Sequence, residues 1–373
     1  MRAYVYSDKS LERYAGRFVW LSVNTESAKN AAFLKRYPIP ALPTLLVLDP
    51  EGKVTLRYVG GATIPQLRKL LDDSSARVTS ASDKLLVEAD RLAAEGKHAE
   101  AVKSYESAFE KAEKGWRRFG RAAESMLFSM SMANEDERCA TRATELYPRV
   151  KGSASAANVA STGLSCATSL DEKQEKRAEL IATLEKETRE VFDDPKIVLS
   201  NDDRSGLYIA LIDARDAMKD EPGALELKKQ WAAFLEKAAA DAKTAEQRAV
   251  YDSHRLNAYL DLGTPEKAIP MLEQSQRDFP GDYNPPARLA LAYKAMKEYD
   301  KALAASDRAL VKVYGPRKLT VLSTRADIYL EKGDKEAARA TIALAVEYAK
   351  SLPEGQRNER RIASLEKRLA SIQ

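Results

Sequence analysis

A chain of 373 residues, 44% hydrophobic but only 7% aromatic, carries enough apolar material for two or more domains. Lys and Arg number 60 against 56 Asp and Glu, interspersed, for a net charge of +4. That balance gives no electrostatic reason to expect nucleic acid, since no dense basic stripe with interleaved aromatics appears, and no apolar run reaches the length of a membrane span.

In chain order, "RFVWLSVN" at Arg17–Asn24 predicts a strand, and "ESAKNAAFLKRY" at Glu26–Tyr37 has the apolar spacing of a helix. Pro43 then opens "TLLVL" at Thr44–Leu48. A proline that cannot donate to a ladder is allowed at the entrance of a strand, at an edge or at a bulge. "DPEG" at Asp49–Gly52 is a type I turn signal before the alternating "KVTLRYV", so the stretch predicts a hairpin. After Gly60 and Gly61, Thr63 is an N-cap for a helix whose face holds Ile64, Leu67, Leu70 and Leu71.

This order of strand, helix, Leu-Pro-Thr strand, turn, strand, glycine and helix resembles the C-terminal part of the thioredoxin family. The resemblance implies a cis bond at Pro43, with Leu42 offering its backbone to an extended substrate and Thr44 starting the next core strand. Leu42, Pro43 and Thr44 are therefore the implied substrate-binding residues. The family also needs a preceding strand and Cys-x-x-Cys at a helix start, where the thiolate is made. Neither precedes Arg17; "MRAYVYSDKSLERYAG" resembles the tail of that first helix. The expectation is that Met1 is an internal methionine and the biological chain starts upstream, the alternative being a degenerate domain. The compartment is open on the same point: cytoplasmic as written, periplasmic if a signal peptide precedes.

The expected organisation is an α/β, partial thioredoxin-like domain at 1–75, a small and polar linker at 76–84, and an all-α solenoid at 85–373. Within the last part the chain repeats. "EGKHAEAVKSYESAFEKA" places Ala101 and Ala108 behind Gly96, and Gly263, Ala268 and Ser275 repeat that spacing. So do Lys297, Ala302 and Ala309, and again Gly333, Ala338 and Ala345. Nine residues before each key alanine stand Leu92, Tyr259, Tyr293 and Tyr329. Small residues at the crossing points let paired helices approach closely, while a tyrosine fills the wider gap. The pattern resembles the tetratricopeptide repeat, with its clearest copies at 82–115, 249–282, 283–316 and 319–352. Between Trp116 and Arg248 the signal fades, although "GSASAANVASTGLSCATSL" predicts a closely packed helix and "FDDPKIVLSNDDR" a loop.

Cys139 and Cys166 are read as two buried free thiols, and His98 and His254 as surface residues. No spacing of ligands predicts a metal, and no cofactor is implied. The basic run "RNERRIASLEKR" at Arg357–Arg368 is read as a solvated last helix. The repeat resemblance implies a concave groove lined by the first helix of each pair, taking a protein or peptide partner. Its register puts Ser253, Asn257, Leu260, Ala287, Leu291, Lys294, Ser323, Asp327 and Leu330 on that groove. Asn257 fits one position of the family's terminal-carboxylate binders, but Ser253 stands where they need Lys, so that ligand is not assigned. Two functions follow. One is a protein-binding scaffold whose thioredoxin-like part is redox-inactive as written. The other is a thiol-disulfide oxidoreductase with its cysteine pair upstream of Met1. The sequence leaves the oligomeric state open.

Overall fold

The computed structural model describes residues 1 and 3–372. A 3-10 turn at Lys9–Tyr14 is followed by another at Ala28–Asn30 that runs into α1 (Ala31–Arg36). Then come β1 (Thr44–Leu48), β2 (Val54–Val59), α2 (Ile64–Ser75), α3 (Ala81–Ala94), α4 (His98–Glu110), α5 (Phe119–Met132) and α6 (Asp136–Val150). They are followed by α7 (Ala154–Ser169), α8 (Arg177–Asp193), α9 (Asn201–Ala217), α10 (Glu221–Ala240), α11 (Ala245–Ala249) and α12 (Asp252–Asp261). The chain ends with α13 (Ala268–Asp278), α14 (Asn284–Ala295), α15 (Tyr299–Leu310), α16 (Arg317–Lys332), α17 (Lys335–Ser351) and α18 (Glu359–Ser371). Two compact units form: the first holds Met1–Ala15 and Tyr37–Trp231, the second Gly16–Arg36 and Ala232–Gln373.

In the first unit β1 and β2 pair antiparallel from Thr44↔Val59 to Leu48↔Val54, with a bulge after Val47. The Asp49–Gly52 turn closes through Gly52 N–H to the Asp49 carbonyl at 2.9 Å, and Asp49 Oδ1 accepts from Lys53 N–H at 2.7 Å. The Leu42–Pro43 bond is cis. A capping box of Thr63 and Gln66 starts α2.

The expected strand at Arg17–Asn24 does not form, and the sheet has two strands among the described residues. Val19 and Leu21 are 89% and 78% exposed. β-competence is realised only where the backbone finds a partner strand, and no such partner flanks this run. The thioredoxin-like expectation thus reduces here to a hairpin and α2. β2 packs on α3, so hairpin and helices belong to one compact unit, and α3 begins inside the stretch expected as a linker.

The helices pair in series, α3 with α4, α5 with α6, α14 with α15 and α16 with α17. The key positions Ala101, Ala108, Ala268, Ala302, Ala309, Ala338 and Ala345 are fully buried. Six pair turns share one device. A residue at positive φ (Gly96, Asn134, Lys219, Gly263, Lys297, Gly333) is followed by an N–H that bonds five residues back. The acceptors are the carbonyls of Leu92, Met130, Arg215, Tyr259, Tyr293 and Tyr329. This 6→1 bond caps the first helix of each pair. Asn134 and Lys219 carry the repeat through the region where the sequence signal fades.

Candidate functional site

In each unit the first helices of successive pairs are the candidate binding face. On the first unit that face is already covered by β2. Asp90 on α3 accepts from Arg121 Nη1 on α5 at 2.6 Å through Oδ2, from the Arg57 backbone N–H at 3.3 Å, and from Tyr105 OH at 2.8 Å through Oδ1. Burial opposes the Arg121 charge, but the Asp90 carboxylate outweighs it and holds the guanidinium above its ordinary value. Arg57 is itself buried, its guanidinium 5.3 Å from the Phe128 ring, and burial pulls it down from the usual arginine value. One residue on, Tyr58 reaches Asn158 on α7 at 3.4 Å, and Asn158 donates to Glu124 of α5 at 2.7 Å. Burial raises Glu124, and the hydrogen bonds from Ser155, Asn158 and Tyr58 do not offset it. A single strand thus touches polar groups on three consecutive first helices.

His98, expected at the surface, is half-buried beside Phe128; burial first, and the Arg57 charge second, push it down to about 4. The predicted Leu42, Pro43 and Thr44 lie at the entrance to β1. Leu42 is 57% exposed, the Pro43 carbonyl accepts from Gly60 N–H at 2.9 Å, and Thr44 Oγ1 donates to the Ala41 carbonyl at 2.7 Å.

On the second unit the predicted groove residues fall on three first helices: Ser253, Asn257 and Leu260 on α12, Leu291 and Lys294 on α14, and Asp327 on α16. Asn257 is exposed and the others are half-buried. Leu260 and Leu291 pack on one apolar cluster with Leu256, Leu289 and Ile328. Lys294 Nζ bonds Glu331 Oε1 at 2.7 Å, linking α14 to α16, and Arg368 of α18 bonds Asp327 of α16. The register therefore places these residues along alternate helices, with Lys294 and Asp327 already in ion pairs that a ligand must exchange or extend.

Sequence reasoning missed the edge of the second unit. Residues 24–36 lie there against the loops that enter α16 and α18. Glu26 accepts from Arg317 N–H at 2.9 Å and pairs with Arg317 Nε at 3.4 Å. Asn24 donates to Tyr314 OH at 2.8 Å, Gln356 Nε2 donates to the Thr25 carbonyl at 2.7 Å, and Lys35 pairs with Glu354 at 2.8 Å. Arg361 sits near enough for Glu26 to favour its charge, although burial and Arg317 leave it below its ordinary value.

The expectation of two free thiols is corrected: Cys139 on α6 and Cys166 on α7 form a disulfide, with Cα atoms 6.1 Å apart. The two residues stand 13 before and 14 after Gly152, in the turn between the helices, so antiparallel packing brings them level (152 − 139 = 13, 166 − 152 = 14). That symmetry was the available signal. Both sulfurs are buried and bonded, and neither is an exposed thiolate.

A family model described as tetratricopeptide repeat matches residues 319–351, the span of α16 and α17. No curated protein matches the chain. Among solved structures the chain is similar to a tetratricopeptide repeat protein from Parabacteroides merdae, at 15% identity over 78% of this chain and 99% of that one, TM-score 0.47. It is also similar to the TPR2AB domain of yeast Sti1 in complex with pHSP90, at 15% identity over 78% and 98%, TM-score 0.29. A third is Acl4, described as the assembly chaperone of RpL4, at 14% identity over 78% and 96%, TM-score 0.35. The chain carries tetratricopeptide-type repeats and is mostly helical, with one small sheet at its N-terminal end among the described residues.

Proposed function

We propose that the chain is a protein-binding scaffold whose peptide site is the first-helix face of the second unit, from α12 to α18. The observation that carries this reading is the row formed by exposed Asn257, apolar Leu260 and Leu291, and the Lys294–Glu331 and Asp327–Arg368 pairs. Such a face offers an extended segment apolar seats with charges of both signs beside them, so the partner is a protein segment of mixed charge. Ser253 supplies no cation, so a terminal carboxylate is not the favoured ligand. The hairpin that resembles the end of a thioredoxin fold serves in this reading as a cover for the first unit's helical face, and its Leu42–Thr44 entrance as a structural corner. Redox chemistry has no exposed thiol to start from among the described residues.

The test is selection of peptides from a displayed random library on the full chain, followed by titration of the winners against variants. Asn257→Ala with Lys294→Glu should weaken the selected peptides at least roughly tenfold, about 1.4 kcal/mol. Peptides whose binding ignores both substitutions would count against this face.

A further inference from the structure

Residues 24–36 form a strap within the segment Gly16–Arg36, which belongs by contact to the second unit although the chain before Gly16 and after Arg36 belongs to the first. Two glycines of its seat lie directly under its backbone. A Cβ on Gly355 would stand 2.0 Å from the Ala31 carbonyl oxygen, and one on Gly315 would stand 2.2 Å from that of Glu26. Gly315 has φ +61 and needs glycine for that reason alone, but Gly355 is not in the left-handed region. Only the approach of the strap explains glycine at 355. The Glu26 carboxylate meets the Arg317 backbone N–H and guanidinium, with Arg361 beyond, in a setting flanked by Tyr283 and Tyr348. Asn24 Oδ1 accepts from Glu26 N–H at 2.8 Å and shapes the turn that presents the carboxylate before α1 begins.

The hold on the strap is light. Lys35 and Glu354 are both mostly exposed, Arg317 is half-exposed, and Leu34 is the one buried side chain of α1. Exposed pairs of this kind contribute little each, and segments held by few buried contacts are the ones that open locally. Its release breaks none of the contacts internal to the first unit.

We infer that this edge is a second protein-binding site, for a carboxylate-bearing turn that enters a short helix, and that residues 24–36 are its built-in, displaceable occupant. The inference is independent of the α12–α18 face. The test uses the full chain and a labelled peptide of residues 22–36. Wild type, whose seat is filled, should bind the peptide weakly. The variant Glu26→Lys with Lys35→Glu, which repels its own strap, should bind it at least roughly tenfold more tightly, because the occupied state no longer competes. Adding Gly355→Ala should abolish that gain, whereas Gly281→Ala, where a Cβ meets nothing within 4 Å, should not. Asn257→Ala with Lys294→Glu should leave it unchanged, which separates this site from the other face. Hydrogen exchange on wild type adds a readout that needs no variant to fold. Amides of Ala31–Arg36 should exchange through local opening, well before those of α16 and α17. Equal peptide binding with and without the strap substitutions, insensitivity to Gly355→Ala, or strap exchange only on global unfolding would each overturn the inference.

Discussion

The first-helix faces of the two units are built from the same repeat and treated in opposite ways. In the first unit the face is sealed: β2 lies on α3, α5 and α7, and its charges are buried in the Asp90, Arg121, Arg57 and Glu124 network. In the second the corresponding helices carry half-exposed pairs, Lys294–Glu331 and Asp327–Arg368. Removing one partner of a buried pair leaves an uncompensated charge, whereas an exposed pair is screened by water. The same kind of ion pair is thus buried in one unit and half-exposed in the other.

Hydrogen exchange resolved by unit can break this contrast. Asp90→Ala should destabilise α3 and α5 by about 3–5 kcal/mol, because it strands Arg121 in the interior. A loss below about 1 kcal/mol would mean that the network is solvated. Next in size, Cys139→Ser with Cys166→Ser should cost about 3 kcal/mol in α6 and α7 by releasing a closed loop of 27 residues' separation. Denatured, unreduced protein should show no free thiol.

Glu187 on α8 gives a smaller, pH-dependent effect. Burial first, and Glu190 second, raise its carboxyl from 4.5 to about 7. The folded state therefore holds a proton that the unfolded state has lost, and this contribution is full below about 4.5 and lost as pH rises through about 7. The difference between wild type and Glu187→Gln should shift over that window, by no more than about 1 kcal/mol after solvent screening. Smallest of all, Lys294→Ala or Asp327→Ala should change the stability of α14 and α16 by about 0.5 kcal/mol, while altering peptide binding more.

The helical repeats could be read where glycine, alanine and tyrosine recur together, as at Gly263, Ala268 and Tyr259. They faded where Asn134 and Lys219 hold the left-handed turn, because the chain conformation persists while its usual residue does not. The hairpin was legible from Pro43 and the Asp49–Gly52 turn. The strand at Arg17–Asn24 was misread because Phe18, Val19 and Trp20 supply β-competence without a partner strand. Burial of Asp90 and Arg121, the seat of Glu26 and the Cys139–Cys166 bond depend on contacts between distant segments. A local reading of charge does not contain the first two; the near-equal placement of Cys139 and Cys166 about Gly152 marks the third.

The most direct measurement is hydrogen exchange of the full chain with and without a library-selected peptide. The account predicts added protection along α12, α14 and α16 and none along α3, α5 and α7. Protection appearing on the β2-covered helices, with α12, α14 and α16 unchanged, would contradict it.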